Sequence, residues 1–152
     1  NESLMHNVVD QLRKYPPKSH ENFCETAITE FDTIEKNLSN NTFIHGDLHY
    51  GNIIIKDSKL EGFCDWDNKS VGDPHWELRM IRRWIGWDGL EKLISYYNSS
   101  TGENLNLDYI KILDKIALCN SYNLRLKIPR RDKPLSIIQE YIQCWPECWW
   151  QR

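Results

Sequence analysis

Apolar residues recur at helical spacing over the first forty residues of the chain. Residues 3–15 predict one helix, which ends at Pro16 and Pro17 because proline lacks an amide donor and keeps the chain extended. Residues 20–38 predict a second helix. Its apolar face carries Phe23, Ala27, Ile28, Phe31, Ile34 and Leu38.

The helical pattern returns in the second half of the chain. Asp73 followed by Pro74 is typical of a helix start, since the aspartate caps free amides and the proline has no amide to leave unsatisfied. From there the spacing predicts helices over residues 73–86, 88–98, 106–127 and 135–148.

Between these helical regions the pattern is that of short β-strands. Runs of β-branched and aromatic residues lie at 42–44, 52–56 and 60–65. Asp57 and Ser58 predict a turn between the last two runs. The sequence therefore predicts a mainly α fold with a small β-element, an α+β arrangement.

Composition limits the classes of function. With 152 residues, 40% of them hydrophobic, the chain is long enough for one globular domain. Its net charge of −3 does not suit a nucleic-acid partner. No apolar run reaches the roughly 18 residues of a membrane span, and the beginning lacks a signal-peptide pattern, so a cytoplasmic location without a membrane partner is expected.

Three oxygen-bearing side chains lie on the β-element: Asp47 in the loop after the first predicted strand, Asn52 at the start of the second, and Asp65 at the end of the third. Three such side chains suit phosphate transfer from ATP. This reaction needs a hydroxyl aligned with the γ-phosphate and a magnesium ion that neutralises charge on the phosphate oxygens. Because magnesium prefers oxygen ligands, Asn52 and Asp65 are the expected metal ligands. Asp47 is then left as the catalytic base.

Three segments of this region have a characteristic order of residues. They are His45-Gly46-Asp47-Leu48-His49-Tyr50-Gly51-Asn52, Phe63-Cys64-Asp65-Trp66-Asp67 and Val71-Gly72-Asp73-Pro74. Together they resemble the aminoglycoside phosphotransferase family, small-molecule relatives of the protein kinases. The resemblance implies the C-terminal lobe of the protein-kinase-like fold and an ATP-dependent transferase acting on a hydroxyl of a small molecule, a class that includes antibiotic-resistance enzymes.

The resemblance also implies a nucleotide site. In the family, the residue two after the asparagine and the residue before the metal-binding aspartate form the floor of the adenine pocket, which places Ile54 and Cys64 there. The nucleotide is ATP or GTP. Asp67 is either a contact of a second magnesium ion or a solvent-facing side chain.

The chain begins at Asn1 and lacks features of an N-terminal kinase lobe. Such a lobe carries a glycine-rich phosphate loop and a strand lysine, whereas the first glycine here is Gly46. We therefore expect a single C-terminal lobe, with N-terminal helices (1–41), a catalytic loop and β-element (42–72) and a C-terminal helical part (73–152). Without an N-terminal lobe it is expected to bind ATP weakly and transfer phosphate negligibly.

The two loop histidines allow other interpretations. His45 is a candidate catalytic residue beside Asp47, although a structural role in holding the loop is the preferred interpretation. His45, Asp47 and His49 together would suit a metal-dependent hydrolase with a tightly bound transition metal.

Two groups of side chains outside the β-element are candidates for ligand contacts. Arg79, Arg82 and Arg83 are expected to form a solvated edge of a helix, with anion binding as the alternative. Trp145, Trp149 and Trp150 are expected to belong to the core or to a face that the missing lobe covers, with an acceptor pocket as the alternative.

The sequence does not decide which small molecule accepts the phosphate. Carboxylates on the second predicted helix, at Glu21, Glu25, Asp32 and Glu35, favour an amine-rich acceptor such as an aminoglycoside. A basic group at Arg125, Lys127, Arg130, Arg131 and Lys133 argues against one. An aminoglycoside-like acceptor is favoured, and choline, fructosamine-type, sugar and macrolide acceptors remain open.

A second hypothesis, of a different class, is that the chain is a non-catalytic kinase-like module that binds a ligand or partner. The presence of Asp47, Asn52 and Asp65 together favours the enzyme, because a module without catalysis has no reason to keep all three.

Overall fold

The structure, a computed structural model, describes residues 4–39, 41–129 and 134–147. Its helices are α1 (Leu4–Lys14), α2 (Glu21–Ile34), α3 (Pro74–Thr101), α4 (Leu107–Lys127) and α5 (Leu135–Gln143). Its strands are β1 (Thr42–Ile44), β2 (Ile53–Lys56), β3 (Lys59–Phe63) and β4 (Ser70–Gly72). The predicted mainly helical α+β fold is confirmed.

The chain divides into two compact units. The helical unit comprises the described residues of 1–38 and 111–152, and the catalytic-loop unit comprises those of 39–110. None of the helices in the described part of the chain is long and apolar enough to cross a membrane.

The core of the helical unit forms from the apolar faces of its helices. α1 and α2 bury Met5, Val8, Val9, Leu12, Cys24, Ala27, Phe31 and Ile34. A second cluster joins α4 and α5 through Leu118, Tyr122, Ile138 and Ile142. The predicted face of α2 is therefore confirmed for Ala27, Phe31 and Ile34, whereas Leu38 lies beyond the end of that helix.

Two cysteine thiols meet inside the helical unit. Cys24 and Cys119 are both fully buried and hydrogen-bonded to each other. This hydrogen bond, together with burial, raises the pKa of Cys119 far above the usual range of a thiol. A thiol in such surroundings stays protonated and unreactive, which indicates a packing role.

The catalytic-loop unit contains two antiparallel strand pairs. In the β2–β3 hairpin, Asp57 and Ser58 have φ of 48° and 60°, the left-handed values that a two-residue hairpin turn needs, so the predicted turn is confirmed. The other pair joins β1 to β4, with Phe43 opposite Val71. β4 was not predicted, because a three-residue strand becomes recognisable only through its partner.

Helix α3 is kinked. At Gly86 φ is 71° and ψ is 179°, values outside the helical region, so two helical segments meet there. The two helices predicted on either side of residue 87 correspond to these segments. Around them the unit buries Leu90, Ile94, Leu105 and Ile110.

Candidate active site

The loop between β1 and β2 is held by one buried carboxylate. Glu77, in the first turn of α3, accepts the N–H of Gly46 at 2.7 Å and the N–H of Leu48 at 3.1 Å, one on each carboxylate oxygen. Its side chain is 8% exposed. Asp47 is thereby fixed between two anchored peptide groups.

Gly46 brings the loop against the segment that follows Asp65. It has φ of 83°, and a Cβ atom at this position would overlap the carbonyl oxygen of Asn68. Glycine adopts a positive φ without strain, and it has no Cβ atom to overlap the Asn68 oxygen. This position therefore requires glycine.

His45 connects the loop to the end of β3. Its Nδ1 accepts the N–H of Asp47 at 3.3 Å, so the proton lies on Nε2, which donates to the carbonyl of Cys64 at 2.8 Å. The buried ring also packs against Trp66, with centroids 4.5 Å apart. With both nitrogens engaged, the geometry favours the loop-holding interpretation of His45.

Asn52 lies against Asp47 and beside the strand that leads to Asp65. Its Nδ2 donates to the carbonyl of Asp47 at 3.0 Å, and its own carbonyl accepts the N–H of Cys64 at 3.0 Å. Asn52 is buried, whereas Asp65 is exposed and has φ of 61°. A continuous set of hydrogen bonds therefore joins Asp47, Asn52 and the residue preceding Asp65.

The donor set of Asn52 and Asp65 fits magnesium. The Asn52 amide nitrogen is used by Asp47, which leaves its oxygen as a ligand, and the Asp65 carboxylate makes no hydrogen bond within the described part of the chain. Amide and carboxylate oxygens are what magnesium prefers. Asp67 lies exposed in the turn Trp66–Asn68, and its role stays a prediction.

The loop histidines do not assemble a transition-metal site. Among the described residues, no group of three or more His, Cys, Asp or Glu side chains is placed to hold a metal ion. Nδ1 of His49 accepts the N–H of Gly51 at 3.0 Å, and its Nε2 lies 3.9 Å from an Asp47 oxygen. Since both nitrogens of His45 are also engaged, the geometry argues against the metal-dependent hydrolase.

The predicted floor of the adenine pocket consists of Ile54, in strand β2, and Cys64, the residue directly after strand β3. Ile54 is 47% exposed and pairs with Gly62, where an added Cβ would meet nothing within 4 Å. Cys64 is half-buried. Ile54 thus presents an apolar, unobstructed surface beside the loop.

Comparison with known proteins decides the family. The sequence profile of the phosphotransferase enzyme family, APH, matches residues 7–105, a range that contains Asp47, Asn52, Asp65 and Glu77. The chain belongs to this family. The resemblance to the aminoglycoside phosphotransferases is thereby confirmed.

A solved structure also resembles this phosphotransferase-family chain. It is that of a protein named "Macrolide 2'-phosphotransferase type I", with a TM-score of 0.64 and 17% sequence identity. The match covers 91% of this chain and 46% of the other, so the chain spans about half the length of that protein. A search among curated proteins gave no match. The predicted kinase-like fold is confirmed by this likeness.

Asp73 fixes the start of α3 in the phosphotransferase-family chain. Its Oδ1 caps the helix by accepting the N–H of His75 at 2.7 Å, and its Oδ2 accepts the N–H of Ser39 at 2.6 Å. The ring of His75 accepts the N–H of Asn106 on Nε2 at 2.9 Å and donates from Nδ1 to Asp73 at 2.6 Å. These buried bonds hold the turn from which Glu77 reaches the loop.

The prediction of a solvated arginine edge is wrong for two of the three residues. Arg79 and Arg82 are only 8% and 2% exposed. Their guanidinium groups lie over Trp76 and Trp87, at 3.9 Å and 4.1 Å from the ring centroids. A planar, weakly hydrated guanidinium stacks on an indole, and this accounts for their burial.

One of the remaining candidates for a ligand contact, Trp145, lies in the helical unit. Trp145 packs against the α4–α5 cluster and donates to Asp114 at 3.2 Å, consistent with the expected core role. The other candidates from that region, Trp149, Trp150, Arg130, Arg131 and Lys133, lie outside the described residues.

Sequence reasoning missed Glu77. An acidic residue in the first turn of a helix is ordinarily assigned to the helix dipole, and Glu77 follows the Asp73–Pro74 start signal as such residues do. The available signal was its position on the same helical face as the apolar residues Met80 and Ile81, three and four residues later, where a solvated acid is unexpected.

Proposed function

We propose that this chain supplies the catalytic base and the magnesium ligands of an ATP-dependent phosphotransferase acting on a hydroxyl of a small molecule. The observation that carries the proposal is the fixed position of Asp47, anchored through Glu77 on both sides and hydrogen-bonded to Asn52. Phosphoryl transfer depends on positioning and electrostatics more than on covalent help from the protein, and a rigid loop meets that need.

Each residue has a defined task in this proposal. Asp47 accepts the proton of the acceptor hydroxyl and orients its oxygen, while His45 keeps the Asp47 loop against the end of β3. Asn52 and Asp65 hold magnesium, with Asp67 as a candidate further contact. Bound magnesium neutralises charge on the phosphate oxygens.

Ile54 and Cys64 form the floor for the adenine ring of ATP, or for the guanine ring of GTP. The exposed apolar side chain of Ile54 supports this assignment, because a purine needs a flat apolar surface.

The chain works as one C-terminal lobe and needs an N-terminal lobe to complete the nucleotide site. The half-length match to the solved structure supports this part of the proposal. A phosphate-covering loop and a strand lysine are the contributions expected of that lobe. A cytoplasmic location, where ATP is available, belongs to the same proposal.

An aminoglycoside-like acceptor is proposed first, although Asp32, one of the carboxylates that favoured it, is already paired and Glu35 lies close to a histidine. Asp32 pairs with Arg13, and Glu35 lies 3.4 Å from His6. A polycationic acceptor would therefore depend on the remaining acids.

A macrolide-like acceptor is the second candidate. It is favoured by the largely apolar lining of a cavity beside the loop, formed by Leu48, Phe43, Trp66, Tyr97 and other side chains, although its volume of about 210 Å³ takes one part of a macrolide and not the whole molecule. The likeness to the macrolide phosphotransferase structure points the same way.

The test is ATP turnover by the full-length protein with a panel of amino sugars, macrolides, choline and neutral sugars. Asp47→Asn is expected to reduce kcat by about a hundredfold or more while nucleotide binding stays intact, since a general base contributes on that order. Asp57→Asn, an equal charge change in the hairpin turn, is the matched control. Equal turnover by Asp47→Asn and the unmodified protein would overturn the assignment of the base.

The alternative of a non-catalytic binding module predicts a different result. In that case the full-length protein binds nucleotide or acceptor but releases no ADP with any member of the panel, and Asp47→Asn changes neither binding nor turnover.

A further inference from the structure

The helical unit contains a cavity that shares no residue with the catalytic loop. It has a volume of about 410 Å³ and lies where the chain leaving α1 passes the last turns of α4. Tyr15, Lys18, Tyr122, Leu126 and Lys127 are among the residues that line it. This volume is in the range of small-molecule sites.

Three lysines gather at this cavity. Lys18 and Lys127 line it, and the ammonium groups of Lys14 and Lys127 lie 5.3 Å and 5.9 Å from the centroid of the Tyr15 ring. Within the described residues, none of the three lysines pairs with a carboxylate, and no acidic side chain lines the cavity. Elsewhere in the unit the cations of Arg13 and Lys115 are paired with acids.

Helix dipoles account for only part of this charge. α1 ends at Lys14 and α4 ends at Lys127, and each helix end carries roughly half a negative charge that a lysine offsets. Lys18 lies after the two prolines, beyond either helix end. The cavity therefore keeps a positive potential after both dipoles are counted.

Tyr122 gives the cavity a polar group without a partner. The residue is 3% exposed, and its hydroxyl makes no hydrogen bond in the part of the chain that the structure describes. Because the hydroxyl makes no bond within the described residues and is not among their buried unpaired atoms, it is available to donate a hydrogen bond to a ligand oxygen at the cavity. Leu126 and the Tyr15 ring add an apolar wall, and the Nδ2 of Asn123 fixes the carbonyl of Tyr15 at 2.7 Å.

We propose that this cavity binds a small molecule that carries a phosphate monoester on an apolar or aromatic body. A phosphate monoester brings close to two negative charges and several acceptor oxygens, which match the lysines and the Tyr122 hydroxyl. The apolar body lies against Leu126 and the Tyr15 ring. The proposal is independent of the phosphotransferase reaction, because none of these residues belongs to the catalytic loop.

Calorimetric titration of the 152-residue chain with phenyl phosphate tests the proposal. One-to-one binding that weakens with added salt is expected. Inorganic phosphate and phenol, which carry only one half of the probe each, should bind at least about tenfold more weakly, because each lacks one set of contacts.

Variants locate the binding. The double substitution Lys18→Gln with Lys127→Gln is expected to weaken binding by about tenfold or more, and Tyr122→Phe by about fivefold, since charged hydrogen bonds are stronger than neutral ones. Lys36→Gln, which removes one charge from an exposed lysine of the same unit, is the control. Lys56→Gln, at an exposed lysine of the catalytic-loop unit, should bind phenyl phosphate as the unmodified chain does, which separates this cavity from that unit. Circular dichroism verifies that each variant is folded.

Three outcomes would overturn the proposal. Unchanged affinity in the double lysine variant would show that the cavity is not the site. Equal binding of phenol and phenyl phosphate would show that the cavity binds the apolar ring and does not recognise the phosphate. Binding to vesicles containing phosphatidic acid without binding of phenyl phosphate would assign the lysines to a lipid surface instead.

Discussion

At the scale of single residues, Glu77 determines where the catalytic loop lies, since each of its carboxylate oxygens accepts one loop amide. Glu77→Gln is expected to lower the free energy of unfolding by about 1–3 kcal/mol, because the new NH2 group cannot accept a hydrogen bond and one buried loop amide loses its acceptor. Urea unfolding followed by circular dichroism measures the change.

Glu91→Gln makes the same chemical change on the exposed side of the same helix and serves as the control. A loss no greater than that of the control would contradict the anchoring role of Glu77. In the full-length protein, Glu77→Gln should also lower kcat for phosphate transfer more than it raises the KM for ATP, since the proposed nucleotide floor is on another segment.

Gly46 allows conformational strain to be separated from steric overlap. Gly46 and Gly102 both have positive φ, 83° and 79°, but only at Gly46 would a Cβ atom overlap a neighbouring backbone oxygen. Gly102→Ala is expected to cost roughly 1–2 kcal/mol for the left-handed conformation alone. Gly46→Ala should cost more by at least about 1 kcal/mol because of the added overlap. Equal shifts in the urea midpoint of the two variants would show that the loop moves freely away from Asn68.

The residue scale also shows what the sequence could and could not predict. Asp47, Asn52 and Asp65 are candidates in the sequence because oxygen-bearing side chains at short spacing on a β-element are visible in one dimension, and their roles stay predictions. Glu77 and the burial of Arg82 were not predicted, because both depend on what lies opposite in space. The amides that Glu77 accepts are about thirty residues away in the chain, and the indole that covers Arg82 belongs to Trp87, beyond the end of the first predicted helical segment.

At the scale of secondary-structure elements, the β2–β3 hairpin offers a specific test of the nucleotide floor. Gly62 lies opposite Ile54 with open space around it, so a variant with a larger side chain there should fold normally and fill the place that we propose for the purine ring. Gly62→Leu is expected to weaken ATP binding by about tenfold or more, as steric misfit in a pocket does. NMR titration, which detects millimolar affinities, measures the change in the 152-residue chain.

Lys59→Leu adds the same side chain at the exposed start of β3, three residues from Gly62, and should leave ATP affinity nearly unchanged. If both variants weaken ATP binding equally, the floor is not on the face of Ile54 and Gly62. Loss of the folded circular dichroism spectrum in Gly62→Leu would contradict the open space assigned to that position.

Elements with a strong local signal were predicted well, and those defined by long-range pairing were not. The Asp57–Ser58 turn and the break in α3 near Gly86 follow from local backbone preferences, which neighbouring residues reveal. β4 has only three residues and exists through its ladder with β1, about thirty residues earlier in the chain. Its absence from the prediction reflects that dependence on a distant strand.

At the scale of the whole molecule, the most informative observation is that this chain spans about half the length of the solved structure that it resembles. The match to the macrolide phosphotransferase structure covers 91% of this chain but 46% of the other, and the catalytic-loop unit carries the base and metal ligands that we propose. The expectation of a separate N-terminal lobe comes from the sequence, in which no glycine precedes Gly46 to form a phosphate-covering loop, and it stays a prediction. Which acceptor is used could not be predicted in the same way, because recognition depends on how side chains from separate helices are paired.

The proposed dependence on a second lobe leads to a prediction about activity. The 152-residue chain alone is expected to release ADP at least about a thousandfold more slowly than the protein encoded by the complete reading frame, because loss of even one preorganised charge-stabilising group costs about a hundred- to a thousandfold. A coupled assay of ADP release with the best acceptor of the panel measures both rates, and Asp47→Asn in each background corrects for contaminating ATPase activity. Comparable Asp47-dependent rates would mean that residues 1–152 complete the nucleotide site by themselves, and the requirement for an N-terminal lobe would then be wrong. If instead neither protein shows Asp47-dependent release while both bind ATP, the chain belongs to a kinase-like binding module, and the anchored loop serves to shape a ligand site.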